Sequence, residues 1–201
     1  MRITLSGHVG TAITAQAVRR QLAAARGGPV EIDIASPGGY VDEAIEIYNI
    51  LRGYAGPLTA RLVGVVASAA TLIACAAHRI VALSSSLWMI HSASLAMSGN
   101  ARDLEHGAAI LRKYDELLAA VYARKTGKDL ATIRAWMANE TWMTPTEALD
   151  AGFVDAIEGS AAQGHADLAA AKARVRELTA RGYRPGELER AAALIAAPAQ
   201  L

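Results

Sequence analysis

Three short stretches of this sequence hold the residue types that acyl transfer to water requires. In "GVVASAATLI", residues 64–73, one hydroxyl, Ser68, stands between Ala67 and Ala69 where an apolar strand pattern passes into a helical one. It is either a small filler bonded to backbone or a nucleophile held on a sharp turn, and small flanking residues are what a crowded nucleophile turn needs. The order Gly-Val-Val-Ala-Ser-Ala is not the G-x-S-x-G elbow of the α/β-hydrolases. In "SPGG", residues 36–39, two glycines between a strand and a helix let backbone N–H groups approach a developing oxyanion, although a tight turn needs glycine just as much. The third stretch, "LWMIH", ends in His91, the one histidine of five that closes a core strand close in sequence to the Ser68 element. With an ordinary pKa near 6.5, about right for work near neutrality, it is a candidate general base or a structural histidine.

A serine–histidine pair gains from a carboxylate that fixes the imidazole tautomer and steadies the imidazolium. The candidates after the long helical stretch are Glu140, Glu147, Asp150 and Asp155. Glu140 precedes "TWMTP" at a helix-to-strand junction and is placed to reach inward, whereas Glu147 and Asp150 fall on the solvated face of the short helix that follows.

The elements that must position these residues alternate. "RITLSG", "VEIDIAS", "LTARLVGVV", "RIVALS" and "LWMI" read as strands; residues 13–26, 41–51, 68–77, 101–124 and 130–138 read as helices. "ETWMTPTEALDAGFVDAI" reads as strand, turn, helix, glycine stop and strand. This order predicts an α/β fold with largely parallel strands, and α/β folds place their chemistry where strands end. Residues 1–158 form the predicted domain; residues 159–201, rich in Ala and Arg, are a helical extension of no assigned role.

Composition narrows the function classes. Twenty Lys and Arg against 19 Asp and Glu give no footprint for nucleic acid or an anionic membrane. The single Cys75 lies in an apolar run, which reads as an inert buried thiol in a reducing cytoplasm. The N-terminus has no secretory h-region, and the longest uncharged run, residues 62–77, falls short of the roughly 20 residues that span a bilayer, so the expectation is a soluble cytoplasmic protein. No metal-ligand cluster and no P-loop is present, and "TGKD" lacks the upstream glycine and the hydroxyl after Lys128, so no cofactor is expected.

Together, "IDIASPGGYVDEAIEIYNIL", "GVVASAATLIACAAHRIVALSSSLWMIHSAS" and "TWMTPTEALDAGFVDAI" resemble the Clp protease proteolytic subunit family of serine peptidases over roughly residues 2–158. The wording "ETWM" and "IHSAS" is most similar to the phage and prophage branch, which includes head maturation proteases. The resemblance implies the family's spiral of ββα-like units, shared with the crotonases. It implies Ser68 as nucleophile, His91 as base, and Gly38 and Ala69 as oxyanion-hole donors. Glu140 falls where cellular members carry the triad's aspartate, a departure by one methylene, with Asn139 beside it. It further implies a homo-oligomeric ring, with residues 101–124 as the handle that joins two rings, and a peptide or protein substrate. Partners would be an AAA+ unfoldase or a phage capsid or scaffold protein; because the chain opens almost at its first strand, little sequence is left for the axial loops that engage an unfoldase.

Three other classes are compatible with parts of the pattern. A crotonase-like acyl-CoA enzyme would use the same glycine donors without needing a Ser–His pair. A Ser–Lys protease would draw on Lys113, Lys125, Lys128 or Lys172. A non-catalytic assembly protein would keep the fold alone.

Overall fold

A computed structural model describes residues 1–159. The rest of the predicted C-terminal extension, with His165 and Lys172, lies outside the described residues. The order is β1 (Arg2–Ser6), α1 (Ala15–Ala25), β2 (Val30–Ser36), α2 (Val41–Arg52), β3 (Leu58–Ala67), α3 (Ala69–Ala74), β4 (Arg79–Leu83), β5 (Leu87–Ile90), α4 (Ala101–Thr126), α5 (Leu130–Ala138), β6 (Thr141–Met143), α6 (Pro145–Ala151) and β7 (Ala156–Glu158).

One seven-stranded sheet runs β1-β2-β3-β4-β7, with β5 and β6 branching from β3. Every pairing is parallel except β5 with β6. The branch arises because β3 is long enough to serve two neighbours in turn. Its first half pairs with β4 (Thr59↔Arg79 to Leu62↔Ala82) and its last three residues pair with β5 (Val65↔Leu87 to Ala67↔Met89). The register of β3 against β2 slips between Ile34↔Leu62 and Ser36↔Val66, so a bulge coincides with the change of partner. The bulge falls where β3 leaves β4 for β5, and the candidate nucleophile and base follow the paired ends of β3 and β5.

Burial follows the strand period. In β2, Val30, Ile32 and Ile34 are buried and Glu31 is exposed, while β5 is buried at all four positions. Under β5, Phe153 packs on Trp88 (ring centroids 5.1 Å) and on Tyr122 (5.7 Å, edge-on). Side chains of this size contribute about 1.5–3 kcal/mol each by leaving water, so this cluster ties β5, α4 and the turn after α6 into one body.

Two expectations are adjusted. The small-residue helix begins at Ala69 and ends at Ala74, which leaves Ser68 as its N-cap residue with no capping bond from its own hydroxyl. On α4 the predicted apolar side is used only toward the C-terminus: Leu118 and Tyr122 are buried, while Leu104 is exposed and Leu111 half-buried. No helix among the described residues is long and apolar enough to cross a membrane.

Candidate active site

Ser68 follows the last residue of β3 and carries φ 55° and ψ −128°, a conformation that L-residues rarely adopt. Three bonds hold it there. Its N–H donates to the Met89 carbonyl at 2.9 Å, continuing the β3–β5 ladder, and its carbonyl accepts from the Thr71 N–H at 3.0 Å and the Thr71 hydroxyl at 2.6 Å. The Thr71 hydroxyl has one proton, already given to Ser68, so the 2.7 Å contact with Tyr122 is donated by the tyrosine. A buried chain thus runs from α4 to the backbone of Ser68. Burial raises the Tyr122 phenol far above its ordinary value and keeps it protonated for that role.

The constrained turn leaves the Ser68 hydroxyl free for one partner, His91 Nε2, at 2.7 Å. With the imidazole proton on Nδ1, Nε2 accepts from the serine, the arrangement a general base requires. Burial holds the His91 pKa below its ordinary value; the negative charges of Glu140 and Asp115 oppose that shift. The imidazole is therefore neutral and ready to accept a proton at neutral pH.

Glu140 is placed by register. The antiparallel β5–β6 ladder pairs Ile90 with Thr141, so the next position sets Glu140 opposite His91. Glu140 itself has φ 46°, and its Oε1 accepts from the Trp142 indole N–H at 3.2 Å. Its charge acts on His91 without a direct hydrogen bond. The other candidates are engaged elsewhere. The Glu147 carboxylate closes the capping box of α6 with Thr144, Asp150 is exposed, and Asp155 binds Lys125 and the Ile80 N–H. Asn139 is the C-cap of α5.

The glycine turn abuts the serine. A Cβ on Gly38, whose φ is 106°, would lie 2.7 Å from the Ser68 Cβ and 2.8 Å from the Ala67 carbonyl. Only glycine fits so close an approach. The Gly38 N–H donates to the Ser36 hydroxyl at 3.1 Å, and the Gly38 carbonyl accepts from Val9 at 2.8 Å. The Ala69 N–H, at the first position of α3, has no intrahelical acceptor. Gly39, Val41, Ser68, Ala69, His91 and Leu118 are among the residues that line a narrow pocket of about 40 Å³. Larger concavities of about 370 and 330 Å³ lie at Trp136–Trp142 and at Tyr48–Arg124, away from the serine.

Ser68, His91, Gly38 and Ala69 thus lie together, and Glu140 stands beside them. Cys75 is buried, with its thiol pushed up to about 12 by desolvation, an inert group. Sequence reasoning did not single out Thr71 and Tyr122, which hold the backbone of Ser68, or Asp115, which binds the Ala93 N–H near His91. Asp115 had a signal: it is a carboxylate inside the apolar stripe, four residues after Leu111 and three before Leu118.

An α/β fold that presents a strained serine on a strand–helix turn, bonded to a histidine at the end of the neighbouring strand, defines a serine hydrolase. Comparison narrows the class. A family model described as Clp protease matches residues 1–161. The ATP-dependent Clp protease proteolytic subunit 1 of Protochlamydia amoebophila is 34% identical over 138 residues, 67% of this chain and 67% of that protein. The subunit of the same description from Chlamydia abortus is 33% identical over 135 residues, 65% of this chain and 70% of that one. A ClpP1 mutant from Listeria monocytogenes shares the fold, with a TM-score of 0.72 at 24% identity, covering 79% of this chain and 91% of that chain. The protein belongs to the Clp protease family and is a ClpP-type proteolytic subunit, a serine endopeptidase.

Proposed function

We propose that Ser68, His91 and Glu140 hydrolyse peptide bonds as a nucleophile–base–acid triad, with the N–H groups of Gly38 and Ala69 as the oxyanion hole. The observation that carries this reading is the 2.7 Å bond between His91 Nε2 and a serine hydroxyl on a positive-φ turn. His91 takes the hydroxyl proton as Ser68 Oγ attacks the scissile carbonyl. The oxyanion that forms replaces the Ser36 hydroxyl as the acceptor of the Gly38 N–H and takes the free Ala69 N–H. His91 returns the proton to the leaving amine, and water, activated by the same imidazole, releases the acyl group. The bond to His91 favours this mechanism over a Ser–Lys pair, since Lys125 is held by Asp155.

The test is intact-mass labelling with a fluorophosphonate probe. One adduct on the wild type and none on Ser68→Ala is expected; an unlabelled wild type in its assembled state overturns the reading.

The subunit works as a homo-oligomeric ring in the cytoplasm. On α4, Ile110 and Leu117 are exposed on one face and Leu104 on another, and these apolar side chains are available for ring–ring contact. Sedimentation of the wild type against a Leu104→Glu, Ile110→Glu variant tests this, and an unchanged particle size overturns it. On the phage-like wording of "ETWM" and "IHSAS", the physiological substrate is a capsid or scaffold protein; the relatives named as ATP-dependent support the second reading, a chain delivered by an AAA+ unfoldase. Cleavage of a purified capsid precursor without ATP supports the first assignment, and cleavage only with an unfoldase and ATP reverses it.

A further inference from the structure

Past β5 the ladder ends, yet the chain that carries His91 does not drift. The Ser92 N–H donates to the Met137 carbonyl at 3.1 Å, and the Ala93 N–H donates to Asp115 Oδ1 at 2.7 Å. Asp115 lies three and seven residues before Leu118 and Tyr122, so all three share one face of α4. Leu118 and Tyr122 line the pocket at Ser68, and the half-buried Asp115 continues the same line toward His91. One carboxylate oxygen holds the Ala93 amide; the second has no hydrogen-bond partner among the described residues.

We propose that Asp115 is a positioning residue of the hydrolytic site: it fixes the backbone two residues beyond His91 and supplies, together with Glu140, the negative charge that steadies the imidazolium. The inference rests on the serine-hydrolase reading above. A single acid would leave the histidine poorly served here, because the Glu140 carboxylate is already drawn to the Trp142 indole. The charged groups that act on His91 are these two carboxylates, Asp115 from α4 and Glu140 from the end of the β5–β6 ladder; no cation among the described residues is set against them there. Both carboxylates are half-buried, so water screens their charge less than it would at an exposed position.

Asp115→Asn separates the two parts of the role. The amide oxygen still accepts from Ala93, and only the charge is lost. The experiment measures the rate of fluorophosphonate labelling at Ser68 between pH 5 and 9, with kcat and KM on a fluorogenic peptide, for the wild type, Asp115→Asn and Asp115→Glu. For Asp115→Asn, labelling and kcat should fall about tenfold with KM unchanged, since a base that has lost part of its charge support costs roughly this much. Its acid limb should move to lower pH, because an imidazolium with less negative charge nearby gives up its proton more readily. Asp115→Glu, which keeps the charge, should hold the wild-type acid limb even if its rate drops, and it carries the comparison should Asp115→Asn fail to reach the wild-type assembled size. A labelled wild type with Asp115→Asn at the same rate and pH profile overturns the proposal and leaves the hydrolase intact, and so does an Asp115→Glu limb displaced as far as that of Asp115→Asn. An unlabelled wild type removes the hydrolase reading itself.

Discussion

The two sides of the site are built differently. On the serine side, the β3–α3 turn and the 36–39 turn interlock through backbone. Ser68 is held by Met89 and Thr71, Gly38 by Val9 and Ser36, and the two turns touch so closely that a methyl group would not fit between them. On the acid side, Glu140 and Asp115 are half-buried side chains at an element end and on a helix face, each engaged by one neutral donor. The lesson is a division of labour. A nucleophile needs its geometry fixed within a few tenths of an ångström, and the proposed one has it from bonds to its main chain. An acid that acts through charge, which falls off slowly with distance, tolerates looser support.

The largest test of this contrast removes the nucleophile. Ser68→Ala should abolish the probe adduct and lower kcat/KM on a peptide by about 10³-fold or more, since the parts of such a site act as a unit. Next, Gly38→Ala forces a Cβ against Ser68 on a backbone with φ 106°. Activity should fall on the order of a hundredfold, as for a lost oxyanion donor, and stability by about 1–3 kcal/mol in a urea titration. On the acid side, Glu140→Gln keeps an acceptor for Trp142 and loses the charge; a fall of roughly tenfold is expected, far less than on the serine side. A loss as deep as that of Ser68→Ala would erase the distinction between the two sides.

The pH profile sharpens it further. Desolvation favours neutral His91, so the acid limb of kcat/KM in the wild type should lie below the ordinary histidine value of about 6.5. A limb above that value would mean the carboxylates outweigh burial. The smallest effect is outside the site: Asn100→Ala removes the capping box of α4, costs about 1 kcal/mol, and should speed hydrogen exchange in the first turn without slowing labelling.

The parts of this arrangement that depend on local pattern were legible in the sequence. Strand and helix order follows from the periods around Val30, Val41, Leu58 and Ala101, and Ser68 and His91 stand where strands end. The parts that depend on register were not. Nothing in "NETWM" announces that Thr141 pairs with Ile90 and so sets Glu140 across from His91. Asp115 sits 22 residues from the amide it binds, and its contact needs α4 to cross over the end of β5. Thr71 and Tyr122 meet across 51 residues for the same reason.

The conformation of Ser68 also bears on heat resistance. Its angles match the first central position of a type II′ turn, where glycine is at ease and a side chain is not. A strained residue of this kind costs about 1–3 kcal/mol. Ser68→Gly should therefore melt later than the wild type while losing all activity. On the proposed mechanism, the chain gives up part of its melting temperature at the residue whose hydroxyl would attack the substrate.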